Sequence, residues 1–149
     1  PPALLPHMLD EIRKDADFVV ASRYIPGGST RGWSTSRLIL SRLGCRLARP
    51  LTPVRDATSG FFLVKRPVIH NTQLSAVGFK ICLELLVRGH AHAVVELPYV
   101  FTNRIIGESK MNAHETLRYL RQLGNLFVYQ LLTKRDRPQP SYRQLPPPA

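Results

Sequence analysis

Three short runs, 17–22 (DFVVAS), 61–64 (FFLV) and 93–101 (AVVELPYVF), alternate with segments whose apolar residues recur every three or four positions. The runs are short and rich in β-branched and aromatic residues, so each is predicted to be a strand; the intervening segments are predicted to be helices. The resulting order, helix–strand–helix–strand–helix–strand–helix, predicts an α/β domain with helices packed against a sheet.

The helical segments carry their own signals. In the opening PPALLPHMLDEIRK, Pro6 suits a first turn, and Leu5, Met8, Leu9 and Ile12 share a face. After Ser34, Ile39, Leu43 and Leu47 fall on one face and Arg42, Arg46 and Arg49 on another, until Pro50 stops the helix. Segment 79–89 (FKICLELLVRG) is predicted helical, with Gly89 as its stop and Lys80, Glu84 and Arg88 as a surface ion-pair row. Asn112 followed by Glu115 resembles an N-cap with its reciprocal glutamate. In 113–132, Leu117, Leu120, Phe127 and Leu131 form a stripe flanked by Arg118 and Arg121. That pattern serves either a core helix or one lying in the headgroup plane of a membrane. One domain is expected over 1–132, and 133–149, basic and proline-rich with few apolar groups, is expected to be a disordered tail.

Charge narrows the partner. Lys and Arg total 21 against 10 Asp and Glu, a net charge of +11, which predicts an anionic partner. From Arg31 to Arg55 there are six arginines and no acid. A nucleic-acid module is disfavoured, because Trp33 is the one aromatic in that stretch and no zinc-ligand spacing occurs. Trp33 itself has two readings, packing the loop before the helix or lying at a lipid interface. No apolar run is long enough to span a bilayer, and no basic stretch followed by an apolar one opens the sequence. Cys45 and Cys82 sit among leucines and isoleucines, as buried thiols of a reducing compartment do.

Ligand sites in open α/β sheets lie in the loops at strand ends. Arg23 ends the first strand, Asp56 and Ser59 precede the second, and Arg104 and Lys110 follow the last. Asp56, Thr58, Ser59 and Gly60 also suit a turn whose side chains bond their own backbone. Five segments together are more specific: ASRYIPGG (21–28), GWSTSRLILSR (32–42), RDATSGFFLVKR (55–66), GFKICLELLVRG (78–89) and ELPYVFTNRIIGESKM (96–111). In order and spacing they resemble the polyprenyl (dolichyl) phosphate mannosyltransferases of the family 2 glycosyltransferases.

The resemblance implies a partial GT-A (Rossmann-like) glycosyltransferase fold, a mixed sheet flanked by helices. It implies an inverting transfer of mannose from GDP-mannose to a polyprenyl phosphate at a membrane surface. Arg23, Arg37, Arg104 and Lys110 would face the acceptor phosphate, Arg37 being otherwise a helix-surface charge. Asp56 would meet the donor sugar, by a hydroxyl or by the developing positive charge at the anomeric carbon, with Thr58, Ser59 and Gly60 shaping that loop. The divalent metal of the family, magnesium or manganese, would be held by paired aspartates upstream, with no ligand in this chain. The PPALL opening matches the piece that follows those aspartates, so the nucleotide-binding half is expected to be missing and this chain alone inactive. A cytoplasmic, membrane-peripheral location is expected, and the resemblance leaves room for a membrane-anchoring partner. The rival classes are a non-catalytic fragment and a basic anion- or nucleic-acid-binding module.

The acceptor chemistry sets what the protein must supply. A phosphomonoester has a second pKa of about 6 and is mostly dianionic at neutral pH, so it needs little help from a base. It needs positioning and charge compensation beside an anionic donor, which suits the planar fork of arginine.

Overall fold

A computed structural model describes residues 2–74, 80–102, 113–133 and 139–147. A 3-10 turn, Pro2–Leu4, leads into helix α1, Leu5–Lys14, with proline in its first turn as expected. Strand β1, Phe18–Ser22, follows and is buried at all five positions. A strand covered on both faces reads as a continuous apolar run rather than an alternation, which is the pattern of FVVAS.

The main sheet has the order β3-β1-β4-β6, with β3 at Phe62–Val64, β4 at Ala93–Pro98 and β6 at Ser141–Gln144. β1 runs antiparallel to β3 and parallel to β4, and β4 runs parallel to β6, so the sheet is mixed. Phe18 stands beside Val64 on one side and Val94 on the other, which places β1 at the centre. On one face, Val19, Ala21, Val95 and Leu97 pack with Leu4, Met8 and Ala16 at and around α1. On the other, Phe18, Val20 and Val94 pack with Val54, Val68, Cys82 and Leu85. Helix α2 spans Thr35–Leu47, α3 spans Arg66–Ile69, α4 spans Ile81–Arg88 and α5 spans Ala113–Thr133. Leu83 and Val87 of α4 meet Tyr119, Leu123 and Leu126 of α5 in a third apolar cluster with Ala48, Leu51 and Ala57. The result is a mixed α/β sheet flanked by helices, the architecture expected of a partial Rossmann-like fold.

Several expectations change in detail. The run 93–101 is two strands, because β4 ends at Pro98, which has no N–H to continue the ladder. Strand β5, Val100–Thr102, instead joins β2, Ser29–Arg31, in a separate two-stranded parallel sheet. β2 has no apolar alternation, and α3 is a single turn, so neither leaves a periodic signature. The tail requires a correction: residues 141–144 are not unstructured but form β6. Its burial alternates between exposed and half-buried, and backbone pairing to β4 holds it in place, which composition does not report. The Asn112 cap lies outside the described residues.

Helix α2 presents a second difference. Ser34 caps it, accepting from the Arg37 backbone N–H, but the face of Ile39, Leu43 and Leu47 points outward. The inward face carries the small residues Ser41, Gly44 and Cys45, which allow close approach. Tyr119 of α5 packs there, its hydroxyl donating to the Gly44 carbonyl at 2.7 Å, and a Cβ at Gly44 would lie 3.2 Å from its ring.

Candidate functional site

The loop after β1 begins with Arg23, and the turn before β3 contains Asp56. The two residues are buried, Arg23 at 8% exposure and Asp56 at none. Asp56 Oδ2 accepts from the Arg23 backbone N–H at 2.9 Å and from its Nε at 2.7 Å, while Oδ1 accepts from Nη2 at 2.6 Å. Arg23 Nη2 also donates to Thr58 Oγ1 at 3.3 Å. Burial disfavours the charged guanidinium, but the Asp56 bonds and charge outweigh it and raise the Arg23 pKa above its ordinary value. Nη1 makes no hydrogen bond among the described residues.

The loop around the pair is shaped by glycine. Residues 25–28 form a turn closed by the Gly28 N–H on the Ile25 carbonyl at 2.9 Å, with Gly27 at φ +87°. A Cβ on Gly28 would sit 2.5 Å from the Ser22 carbonyl oxygen, so only glycine lets this turn fold back on the strand end.

Two further elements bring aromatic surface to Arg23. Its guanidinium carbon lies 5.1 Å from the Tyr24 ring centroid and 5.1 Å from that of Trp33. Arg37, in the first turn of α2, places its guanidinium 4.2 Å from the same indole. Trp33 is fixed in turn by an edge-on contact with Phe101 of β5 at 5.4 Å, which supports the packing reading of this residue. Arg23 and Arg37 therefore share one aromatic platform, each within cation–π range. The buried indole Nε1–H of Trp33 meets no acceptor among the described residues. A buried donor without a partner calls for an explanation, and two guanidinium groups lie over the same ring.

The turn from 54 to 60 is held from below by Glu96, a fully buried carboxylate of β4. Its Oε2 accepts from the Arg55 N–H at 2.9 Å and its Oε1 from the Asp56 N–H at 3.0 Å. The Tyr142 hydroxyl of β6 donates to Oε2, and Gln144 donates to that hydroxyl at 2.6 Å. Burial, followed by the Glu96 contact, raises the Tyr142 pKa and keeps the hydroxyl a donor. Ser59 locks the other end of the turn, donating to the Ala21 carbonyl at 2.7 Å and accepting from the Phe61 N–H at 3.2 Å. Cys45 of α2 closes the side, with its sulfur 3.3 Å from Thr58 Oγ1 and 3.8 Å from Asp56 Oδ1. Burial and the Asp56 charge push its thiol up to about 11.

These contacts revise the roles expected from the sequence. Asp56, expected to meet the donor sugar, is wholly buried here and both its oxygens accept from Arg23. It orients Arg23. Ser59 ties the turn to β1 and to Phe61 just before β3, and Thr58 meets Arg23 and Cys45. Gly60 is exposed and a Cβ there would meet nothing within 4 Å, so the chain itself does not require a glycine at that point. Arg104 and Lys110 lie outside the described residues. Glu96 was missed, although a lone acid within the apolar run AVVELP was its signal. Among the described residues no group of three His, Cys, Asp or Glu side chains is arranged to hold a metal ion. The carboxylates nearest the site are already engaged by Arg23 and by backbone amides, so this donor set does not suit a divalent cation.

No family model matches the chain. Among curated proteins, it is 32% identical over 134 residues to the dolichol-phosphate mannosyltransferase of Pyrococcus furiosus, covering 87% of this chain and 38% of that protein. It is 35% identical to the protein of that name from Saccharomyces cerevisiae, covering 87% of this chain and 51% of the yeast protein. Against the polyprenol monophosphomannose synthase of Mycolicibacterium smegmatis the identity is 37% over 74% of this chain and 44% of the relative. By fold and by these similarities the chain is a relative of the glycosyltransferases. More narrowly, its relatives are the dolichol-phosphate and polyprenol mannosyltransferases, and it spans 38% to 51% of the length of these three.

Proposed function

We propose that this chain is the acceptor side of an inverting mannosyltransferase that moves mannose from GDP-mannose to a polyprenyl phosphate at a membrane surface. The observation that carries the reading is the convergence of Arg23 and Arg37 on Trp33, beside an indole N–H with no acceptor among the described residues. The names of the relatives supply the sugar and the lipid phosphate.

On this reading the acceptor phosphate sits against the guanidinium groups of Arg23 and Arg37, with Arg104 and Lys110 as further phosphate-binding residues. Asp56 holds the Nε edge of Arg23, which leaves Nη1 to meet the phosphate. The buried pair arrives already oriented, so little ordering is left for the moment of binding. The phosphate oxygen attacks the anomeric carbon, the bond to the GDP diphosphate breaks, and the sugar configuration inverts. A divalent metal, when bound by residues outside those described, would stabilise the departing diphosphate; Mg or Mn suits that chemistry.

The surface supports action at a membrane. Ile39, Leu43 and Leu47 of α2 are 61%, 50% and 43% exposed, and Leu117, Leu120 and Leu131 of α5 are 67%, 47% and 75% exposed. Leu40, Leu43, Leu47 and Leu120 line one shallow groove along the α2–α5 seam, with Tyr119 at its floor. So much uncovered aliphatic surface on two packed helices suits the acyl–headgroup boundary, where a polyprenyl tail would also lie. Among the described residues no helix is long and apolar enough to cross a membrane.

The test is a chimera. Residues 2–147 replace the matching segment of the Saccharomyces cerevisiae relative, and mannose transfer to a polyprenyl phosphate is followed with radiolabelled GDP-mannose. Transfer by the chimera, abolished by Arg23→Ala, is the expected result. A folded chimera that hydrolyses the donor without forming the lipid product would overturn the reading.

A further inference from the structure

A second cluster of arginines lies next to the site but outside it. Arg42, Arg46 and Arg49 follow one another at helical spacing on and just after α2, and with Arg55, Tyr24, Cys45 and Pro50 they line an open hollow of about 650 Å³. Among the described residues no carboxylate lines it.

What sets this cluster apart is that its four arginines share one hollow, since Arg31, Arg66 and Arg121 also stand outside ion-pair distance of an acid among the described residues. Arg13, Lys14, Lys65, Arg88, Arg118 and Arg143 each stand within ion-pair distance of an acid. None of the four arginines around the hollow does so among the described residues. Two are nonetheless held in place: Arg49 Nη1 donates to the Pro53 carbonyl at 2.7 Å, and Arg42 lies 5.8 Å from the Tyr24 ring. The Arg46 and Arg55 side chains make no hydrogen bond or ion pair among the described residues. Four like charges around one hollow repel one another, and a bound anion relieves that repulsion. All four are the residue whose fork fits phosphate oxygens two at a time.

We propose that this hollow is a phosphate-binding site separate from the Arg23–Arg37 position, taking the phosphate of an anionic lipid headgroup or of a soluble phosphate compound. It does not depend on the mannosyltransferase reading, because neither Arg23 nor Arg37 lines it. Its place on α2, whose neighbouring face exposes Leu43 and Leu47, puts it within reach of headgroups if that face meets a bilayer.

The experiment uses the 149-residue chain and two probes. Inorganic pyrophosphate binding is followed by calorimetry, and flotation is measured with phosphatidylcholine vesicles with and without phosphatidic acid. The variant Arg46→Gln/Arg55→Gln is compared with a charge-matched control, Arg13→Gln/Arg118→Gln, and with Arg37→Gln. All five positions are exposed or half-buried, so the fold is expected to survive; the single variants Arg46→Gln and Arg55→Gln stand in if the double variant melts early. The expected result is a loss of about tenfold or more in affinity for at least one probe in Arg46→Gln/Arg55→Gln, with the control nearly unchanged and the Trp33 fluorescence response retained, which Arg37→Gln loses instead. Loss of vesicle binding alone identifies a lipid headgroup, and loss of pyrophosphate binding identifies a soluble phosphate. Equal losses in variant and control, or no saturable binding of either probe, would overturn the proposal.

Discussion

Arg23 and Asp56, thirty-three positions apart in sequence, form a three-point buried pair in which one carboxylate holds both the side chain and the backbone N–H of the same arginine. The backbone bond fixes where the loop leaves β1, and the side-chain bonds fix where the guanidinium points. One contact thus sets both the path of the loop and the direction of the guanidinium.

Breaking this pair from one side leaves a buried charge uncompensated. Asp56→Asn is expected to cost about 3–5 kcal/mol of stability, and Asp56→Asn combined with Arg23→Met less than the single change. Urea unfolding of the two variants and the parent checks this. A loss under about 1 kcal/mol for Asp56→Asn would mean that the pair is wetter and looser than described.

The Glu96–Tyr142 contact ties β6 to the turn that carries Asp56. Tyr142→Phe removes a hydrogen bond to a carboxylate and is expected to lower stability by about 1.5–3 kcal/mol. Hydrogen exchange offers the sharper reading, because the Arg55 and Asp56 amides should lose protection along with β6. Unchanged protection at those amides would show that Glu96 holds the turn without help from β6.

The arrangement was partly legible before any coordinates. Arg23 and Asp56 stood out as polar residues at the ends of apolar runs, Arg37 came only from the family resemblance, and the α/β order followed from periodicity. What the sequence could not show was which partners meet. Asp56 looked like a group aimed at a ligand because an exposed turn and a buried ion pair share the same residue types. The sequence placed Ile39, Leu43 and Leu47 on one face without saying what that face meets; here Ser41, Gly44 and Cys45 take the inward face so that Tyr119 can approach. β6 was invisible because backbone pairing to an edge asks for little apolar surface.

Alkaline pH gives an independent check on the environment of Cys45. Burial raises its pKa from an ordinary 9.0 to about 11, so the folded state keeps the proton longer than the unfolded chain. That contribution is complete below pH 9.0 and is lost as pH rises through about 11. Unfolding free energy should therefore fall across this window, and less steeply in Cys45→Ser. Alkylation by iodoacetamide at pH 8 should be much slower in the native state than in urea; equal rates would place the thiol in solvent.

The exposed leucines on α2 and α5 predict vesicle binding that depends on them. Leu43→Asp/Leu131→Asp should abolish flotation without lowering the melting temperature, because neither side chain is buried. Undiminished flotation would direct attention to another surface.

The shared indole is where the account is most exposed. Titration of a water-soluble short-chain prenyl phosphate, followed by the fluorescence of Trp33, the single tryptophan of the chain, reports binding at that position alone. Saturable quenching by the parent, weakened about tenfold or more in both Arg23→Lys and Arg37→Gln and retained in Arg46→Gln, is the predicted result. A fluorescence signal indifferent to the ligand, or one that survives loss of either arginine, would contradict the claim that these two side chains jointly receive the acceptor phosphate.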